Sequence, residues 1–128
     1  MTQSNGNRRR RLIEPVKIIG FETVTEARLR QITRRIVRAY KPERVVLFGS
    51  FAAGRATPHS DVDLLIVKRT MRSTVERYRV VSDLFVPRPF PMDILVYTPG
   101  EWHKAIKAGD QFAREIIETG RVMYERRG

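Results

Sequence analysis

Two aspartates one residue apart, Asp61 and Asp63, open the apolar run Val62 to Val67, and they follow the pair Gly49-Ser50 after a gap of ten residues. Side chains alternate across a strand, so Asp61 and Asp63 project from one face and can share a cation. Their oxygens suit a hard divalent ion such as Mg²⁺. Val45-Val46-Leu47-Phe48 reads as a buried strand ending at Gly49-Ser50, and Phe51-Ala52-Ala53-Gly54 suits a short helix whose first free N–H groups face the same region. A helix start carrying glycine and serine is a place where phosphate can sit. Together these features point to a nucleoside triphosphate held between backbone N–H groups and a carboxylate-bound Mg²⁺, with a nucleotidyl group as the cargo.

A third carboxylate, Asp93, lies within Met92-Asp93-Ile94-Leu95-Val96. A charge inside an apolar strand is costly unless paired or metal-bound. If this strand lies beside Asp61 to Val67, Asp93 reaches the same face and three aspartates converge. Their repulsion would raise at least one pKa, so the cluster makes chemical sense mainly around divalent metal. Two ions about 4 Å apart would hold the attacking and leaving oxygens of an in-line displacement. The plainer alternative for Asp93 is a sheet-edge residue hydrogen-bonded to backbone N–H groups. Arg55 is placed to approach a triphosphate, or else is an exposed loop arginine. His59 reads as a solvated loop residue, and Ser60 as a residue that orients Asp61 or caps the turn.

These side chains need a scaffold, and hydrophobic periodicity supplies one. Thr23 to Glu26 has the spacing of a capping box, and Leu29, Ile32, Ile36, Val37 and Tyr40 then recur at helical intervals to about Ala39, before Lys41-Pro42. The outer face of that helix carries Arg28, Arg30, Arg34, Arg35 and Arg38, a solvated face by default. Val75, Tyr78, Val81 and Leu84 mark a second amphipathic helix, closed by Pro87, Pro89 and Pro91. After a strand over Met92 to Tyr97, Thr98-Pro99-Gly100-Glu101 is a helix start with a proline at the first position and a capping-box glutamate. Trp102, Ala105, Ile106, Phe112, Ile116 and Ile117 form its expected buried face, interrupted near Gly109-Asp110, and Arg121 to Tyr124 follows as a short strand.

Composition narrows the chemistry. The chain has 128 residues, 41% of them hydrophobic, enough for one modest core. Without cysteine there is no disulfide or thiolate metal site, and two histidines alone build no zinc site, which leaves oxygen ligands. No apolar run approaches the roughly 18 residues of a membrane span, and the first residues lack the apolar stretch of a signal peptide, so a cytoplasmic protein is expected. Lys and Arg number 25 against 14 acidic residues, a formal net charge of +11 that favours an anionic partner without choosing among nucleotide, nucleic acid and acidic protein. Part of the excess is Arg8-Arg9-Arg10-Arg11. Residues 1–22 are expected to form a basic tail, and residues 23–128 the folded domain.

The strand, Gly49-Ser50, the spacer, Asp61-Val62-Asp63 and the later Asp93 together resemble the nucleotidyltransferase superfamily of DNA polymerase beta, and within it the minimal nucleotidyltransferase group. The resemblance covers about residues 24 to 124. It implies an α/β (α+β) fold, a short mixed β-sheet with helices packed on one side. Gly49 and Ser50 match the pair that holds the triphosphate; Asp61 and Asp63 match the carboxylates that bind both metals. Asp93 matches the third, which completes the catalytic metal site and helps deprotonate the acceptor hydroxyl. Minimal members are commonly paired with a small helical HEPN protein, an RNase toxin, and act as its antitoxin by adenylylating a tyrosine. The resemblance therefore implies two Mg²⁺ ions, ATP as donor and a HEPN-type partner. Two other readings stay open: an antitoxin or binding module acting by contact alone, and a nucleic-acid-binding protein using the arginine-rich tail and helix.

Overall fold

Apolar runs too continuous to have a wet side make the centre of the molecule. In the computed structural model, which describes residues 12–127, they are strands β3 (Arg44–Phe48), β4 (Val62–Val67) and β5 (Met92–Tyr97), joined at one edge by β6 (Arg121–Glu125). The order is β5-β4-β3-β6. β3 runs antiparallel to both β4 and β6, whereas β4 and β5 are parallel, so the sheet is mixed.

Alternation along these strands divides the core in two. Val45, Leu47, Val62, Leu64, Ile66, Ile94 and Val96 point to one face, where helix α1 (Glu26–Tyr40) contributes Leu29, Ile32 and Ile36, and α3 (Thr74–Ser82) contributes Val81. Val46, Leu65 and Val67 point to the other, under Trp102 of α4 (Pro99–Lys107) and Ala113 and Ile116 of α5 (Gln111–Thr119). The α/β class and the short mixed sheet are as expected, but helices cover both faces and not one. The reason is visible in β4: five of its six residues are apolar and buried, and each face needs its own cover. Each large aliphatic side chain so buried contributes about 1.5–3 kcal/mol.

Local signals decide the helix ends. The N-cap of α1 is Thr25, whose hydroxyl accepts the Arg28 N–H at 3.0 Å, while Thr23 lies in a two-stranded ribbon of β1 (Val16–Lys17) and β2 (Thr23–Val24). The cap is therefore two residues later than expected, and with Arg28 three residues beyond it no capping box forms. Ile18, next to that ribbon, is buried in the larger core, so packed structure begins before residue 23. The Arg8 to Arg11 run lies outside the described residues. Thr98 and Glu101 form the expected capping box with Pro99 in the first turn.

Two expected buried stripes are narrower than their periodicity. Val75 and Tyr78 of α3 are exposed, and Arg77 takes the inward position: its guanidinium donates to the carbonyls of Arg72 and Val96 and forks onto Glu101 at 2.8 and 3.2 Å. Ile106 and Ile117 are also exposed, because the Gly109-Asp110 turn lets α4 and α5 each lay a single stripe on the sheet. Among the described residues no helix is long and apolar enough to cross a membrane.

Candidate active site

The end of the second sheet face is where its apolar lining stops. β3 ends at Phe48, which lies opposite Asp63 of β4, and Asp63 is in register with Asp93 of the parallel β5. The same face continues along the strands as Leu65 and Val67 beside Leu95 and Tyr97. Phe112 of α5 meets the Phe48 ring edge-on at 5.5 Å, and across the sheet from Phe48 come the carboxylates. Asp61 precedes β4 by one residue, and β5 is an edge strand among the described residues, where Asp93 is exposed.

Gly49 turns the chain out of β3 into the short helix α2 (Gly49–Ala53) with φ +75°, a conformation that side chains disfavour. Space makes a second demand. A Cβ on Gly49 would stand 2.0 Å from Asp63 Oδ2, so the turn presses backbone against carboxylate and only glycine fits. Ser50 follows, half-buried, and its carbonyl accepts the Arg55 N–H at 2.9 Å as the helix closes at Gly54. The Arg55 side chain is exposed beyond that closure. In the loop before β4, Ser60 Oγ accepts the Thr57 N–H at 2.8 Å, and His59 is exposed; both are turn residues, as expected.

Electrostatics single out one member of the trio. Burial, then the charges of Asp93 and Asp61, push the Asp63 carboxyl up from an ordinary 3.8 to about 6. No side-chain hydrogen bond or ion pair offsets that penalty among the described residues, although basic residues outnumber acidic ones across the chain. Asp63 and Asp93 thus stand side by side at one end of one face, with Asp61 near enough for its charge to act on Asp63. They are not drawn into a closed cage: among the described residues no group of three or more carboxylate or imidazole side chains is gathered to hold a metal ion. In kind the donors fit Mg²⁺, being acceptor-only oxygens, one of them protonated more readily than a free aspartate and without a counter-charge.

The neighbours of Asp63 carry information that spacing alone did not. Phe48 was expected only as the end of a strand and Phe112 only as core, yet together they wall the apolar side of the carboxylates. Their partnership joins residues 64 apart in sequence and leaves no local trace.

The chain is similar to several known proteins. The family model described as "Nucleotidyltransferase domain" matches residues 28–122. A 41-residue segment is 39% identical to a protein of Methanocaldococcus jannaschii named "putative protein adenylyltransferase"; the match spans 31% of this chain and only 28% of that protein's length. Among solved structures, a "putative nucleotidyltransferase" from Sulfolobus solfataricus superposes with a TM-score of 0.55 at 21% identity, over 77% of this chain and 78% of that one. A toxin-antitoxin structure with AMP-PNP gives a TM-score of 0.57 at 15% identity, over 77% and 74%. At those identities the likeness is one of fold.

Proposed function

The chain belongs to the nucleotidyltransferase domain family, and from that premise we propose that it transfers a nucleoside monophosphate, AMP from ATP, to a hydroxyl of a partner protein in a Mg²⁺-dependent reaction. The observation that carries the reading is Asp63: half-buried, uncompensated, in register with Asp93 and pressed against a turn that only glycine can make. A fold has little reason to keep such a carboxylate for stability alone.

In this reading the Gly49-Ser50 turn lies against the triphosphate, with backbone N–H groups toward its oxygens, and Arg55 reaches the same phosphates from the end of α2. Asp61 and Asp63 would hold the nucleotide-associated and catalytic ions, and Asp93 would complete the second. Bound Mg²⁺ neutralises phosphate charge and favours an ionised acceptor oxygen. Asp93, open at the sheet edge, takes the proton of the incoming hydroxyl. That oxygen bonds to the α-phosphorus as the bond from the α-phosphorus to the bridging oxygen breaks, and pyrophosphate leaves. Positioning and charge stabilisation do most of the work.

The acceptor is placed on a small helical HEPN-type toxin, which this chain restrains as antitoxin. Support comes from the resemblance of the motif to minimal nucleotidyltransferases and from the toxin-antitoxin structure with AMP-PNP among the similar folds. Labelled ATP, Mg²⁺ and the product of the neighbouring gene should give a labelled partner, one nucleoside monophosphate heavier by mass spectrometry. Label found only on RNA sinks the protein acceptor. Equal neutralisation of the partner by wild type and Asp61→Asn would leave a contact-only antitoxin.

A further inference from the structure

The sheet edge farthest from Asp93 carries a different kind of surface. Arg30, Arg34 and Arg38 recur every four residues along α1, so their guanidinium stems rise in one line about 6 Å apart. With Val37, Met123 and Tyr124 they line a groove of about 500 Å³ between α1 and β6. Arg34 and Arg38 also border a second groove of about 400 Å³, shared with Arg28, Gln31 and Arg35. The two arginines are therefore a ridge between two channels.

Their neighbours are engaged and they are not. Arg28 pairs with Glu22 at 3.0 Å, Arg30 with Glu26 at 3.1 Å, and Arg35 donates to the Leu84 carbonyl at 2.8 Å. Arg34 and Arg38 are exposed and make no hydrogen bond or ion pair among the described residues. Beneath them the groove floor is apolar, with the half-buried Tyr124 ring packed on the rim of the core. Unpaired guanidinium forks match phosphate oxygens, and an aromatic ring beside them offers a face on which a base can stack.

We infer that the groove between α1 and β6 binds single-stranded nucleic acid, with Arg34 and Arg38 on its phosphates and Tyr124 under a base. Carboxylates of an acidic peptide would also meet these arginines, but would leave the aromatic floor unused. The chain's net charge of +11 adds a long-range pull on any polyanion. This surface is separate from the carboxylates: Tyr124 pairs with Val45, on the sheet face opposite Asp63, and β6 and β5 are the two outer strands. Binding here needs no metal and no nucleotide.

Anisotropy of a fluorescein-labelled 20-mer oligouridylate, measured in excess chelator over a salt series, tests the assignment. Arg34→Gln with Arg38→Gln should weaken binding about tenfold or more at low salt. The same pair should flatten the slope of log K against log salt by about 1.4, two phosphate contacts' worth. Tyr124→Leu, which keeps the floor filled, should weaken binding about fivefold and leave that slope unchanged, as expected for lost stacking. Melting curves like that of wild type confirm that the variants are folded. Undiminished binding by both variants overturns the inference. So does loss of binding on replacing Arg8 to Arg11 alone with glutamine, displacement by MgATP when the titration is repeated without chelator, or equal displacement by polyglutamate at matched charge.

Discussion

Glu26 and Asp63 are both acidic side chains held partly out of water, and the molecule treats them in opposite ways. Glu26, at the start of α1, receives the forked Arg121 guanidinium, with Nη1 donating at 2.7 Å and Nη2 to the other oxygen, and also the Ile13 N–H at 3.2 Å and Arg30 at 3.1 Å. Arg121 above all holds its carboxyl down, from an ordinary 4.5 to about 2. Among the described residues Asp63 receives no such partner, and it is driven up to about 6. One carboxylate ties the N-terminal segment, α1 and β6 together. The other is kept at the expense of stability, which is the mark of a group whose counter-charge arrives with a ligand.

The sharpest way to test that contrast is to neutralise each in turn. Asp63→Asn should lower the transfer rate by about 100-fold or more, the scale of losing one group that stabilises charge in the transition state. Its melting temperature, measured without metal, should stay the same or rise, because a repelling charge is gone. Glu26→Gln should do the reverse. Leaving Arg121 half-paired in a largely buried place should cost about 2–3 kcal/mol, a fall of about 10 °C in Tm by calorimetry, with kcat of the surviving folded protein near wild type. A strongly destabilised Asp63→Asn, or an unaffected Glu26→Gln, would erase the distinction.

Gly49→Ala sits between the two cases. The new methyl collides with the Asp63 carboxylate and the residue must keep φ +75°, so about 1–3 kcal/mol of stability should be lost together with Mg²⁺-dependent ATP binding, read by calorimetric titration. Because the collision is with the Asp63 carboxylate, the loss should shrink when Asp63→Ala is already present, whereas the isosteric Asp63→Asn should leave it in place.

The smallest effect, in pH, separates the carboxylates most directly. Asp63 has a folded pKa above its unfolded one, so it is neutral to stability below about pH 4 and becomes destabilising as pH rises through about 6. In chelator, Tm of wild type relative to Asp63→Asn should therefore drift down between pH 4 and 6.5, and added Mg²⁺ should remove the drift. Glu26 has the opposite sign: its contribution is present above about pH 4.5 and fades as pH falls toward 2, so the gap between wild type and Glu26→Gln should close in acid.

How far these features were legible in the sequence follows the range of the physics behind them. β3, β4, β5, the Thr98 cap and the juxtaposition of Asp63 with Asp93 rest on local patterns and one strand pairing, and they appear as expected. The two-sided cover was hidden because a continuous apolar run does not say what lies on each of its faces. Arg77 was unreadable for a similar reason: a buried arginine and a surface one look alike until Glu101 is known to be across from it. The Glu26 and Arg121 pair, 95 residues apart, has no local signature at all. Thr23 reads as the cap from its spacing to Glu26, whereas Thr25, two residues on, offers the same hydroxyl and makes the bond.

That same distance bears on how the molecule comes into being. β3 is complete by Phe48, yet one of its two edges stays bare until Arg121–Glu125 zips onto it, and Arg121 then fastens the first turn of α1. Contacts between segments so remote in sequence must be found late, after a large loop has been closed, and they slow the search. During synthesis the half-made protein therefore waits with an open strand and an unclasped helix. Any removal of β6 would leave a chain with its nucleotide motif intact and its sheet unfinished, more inclined to pair with another copy than to fold alone.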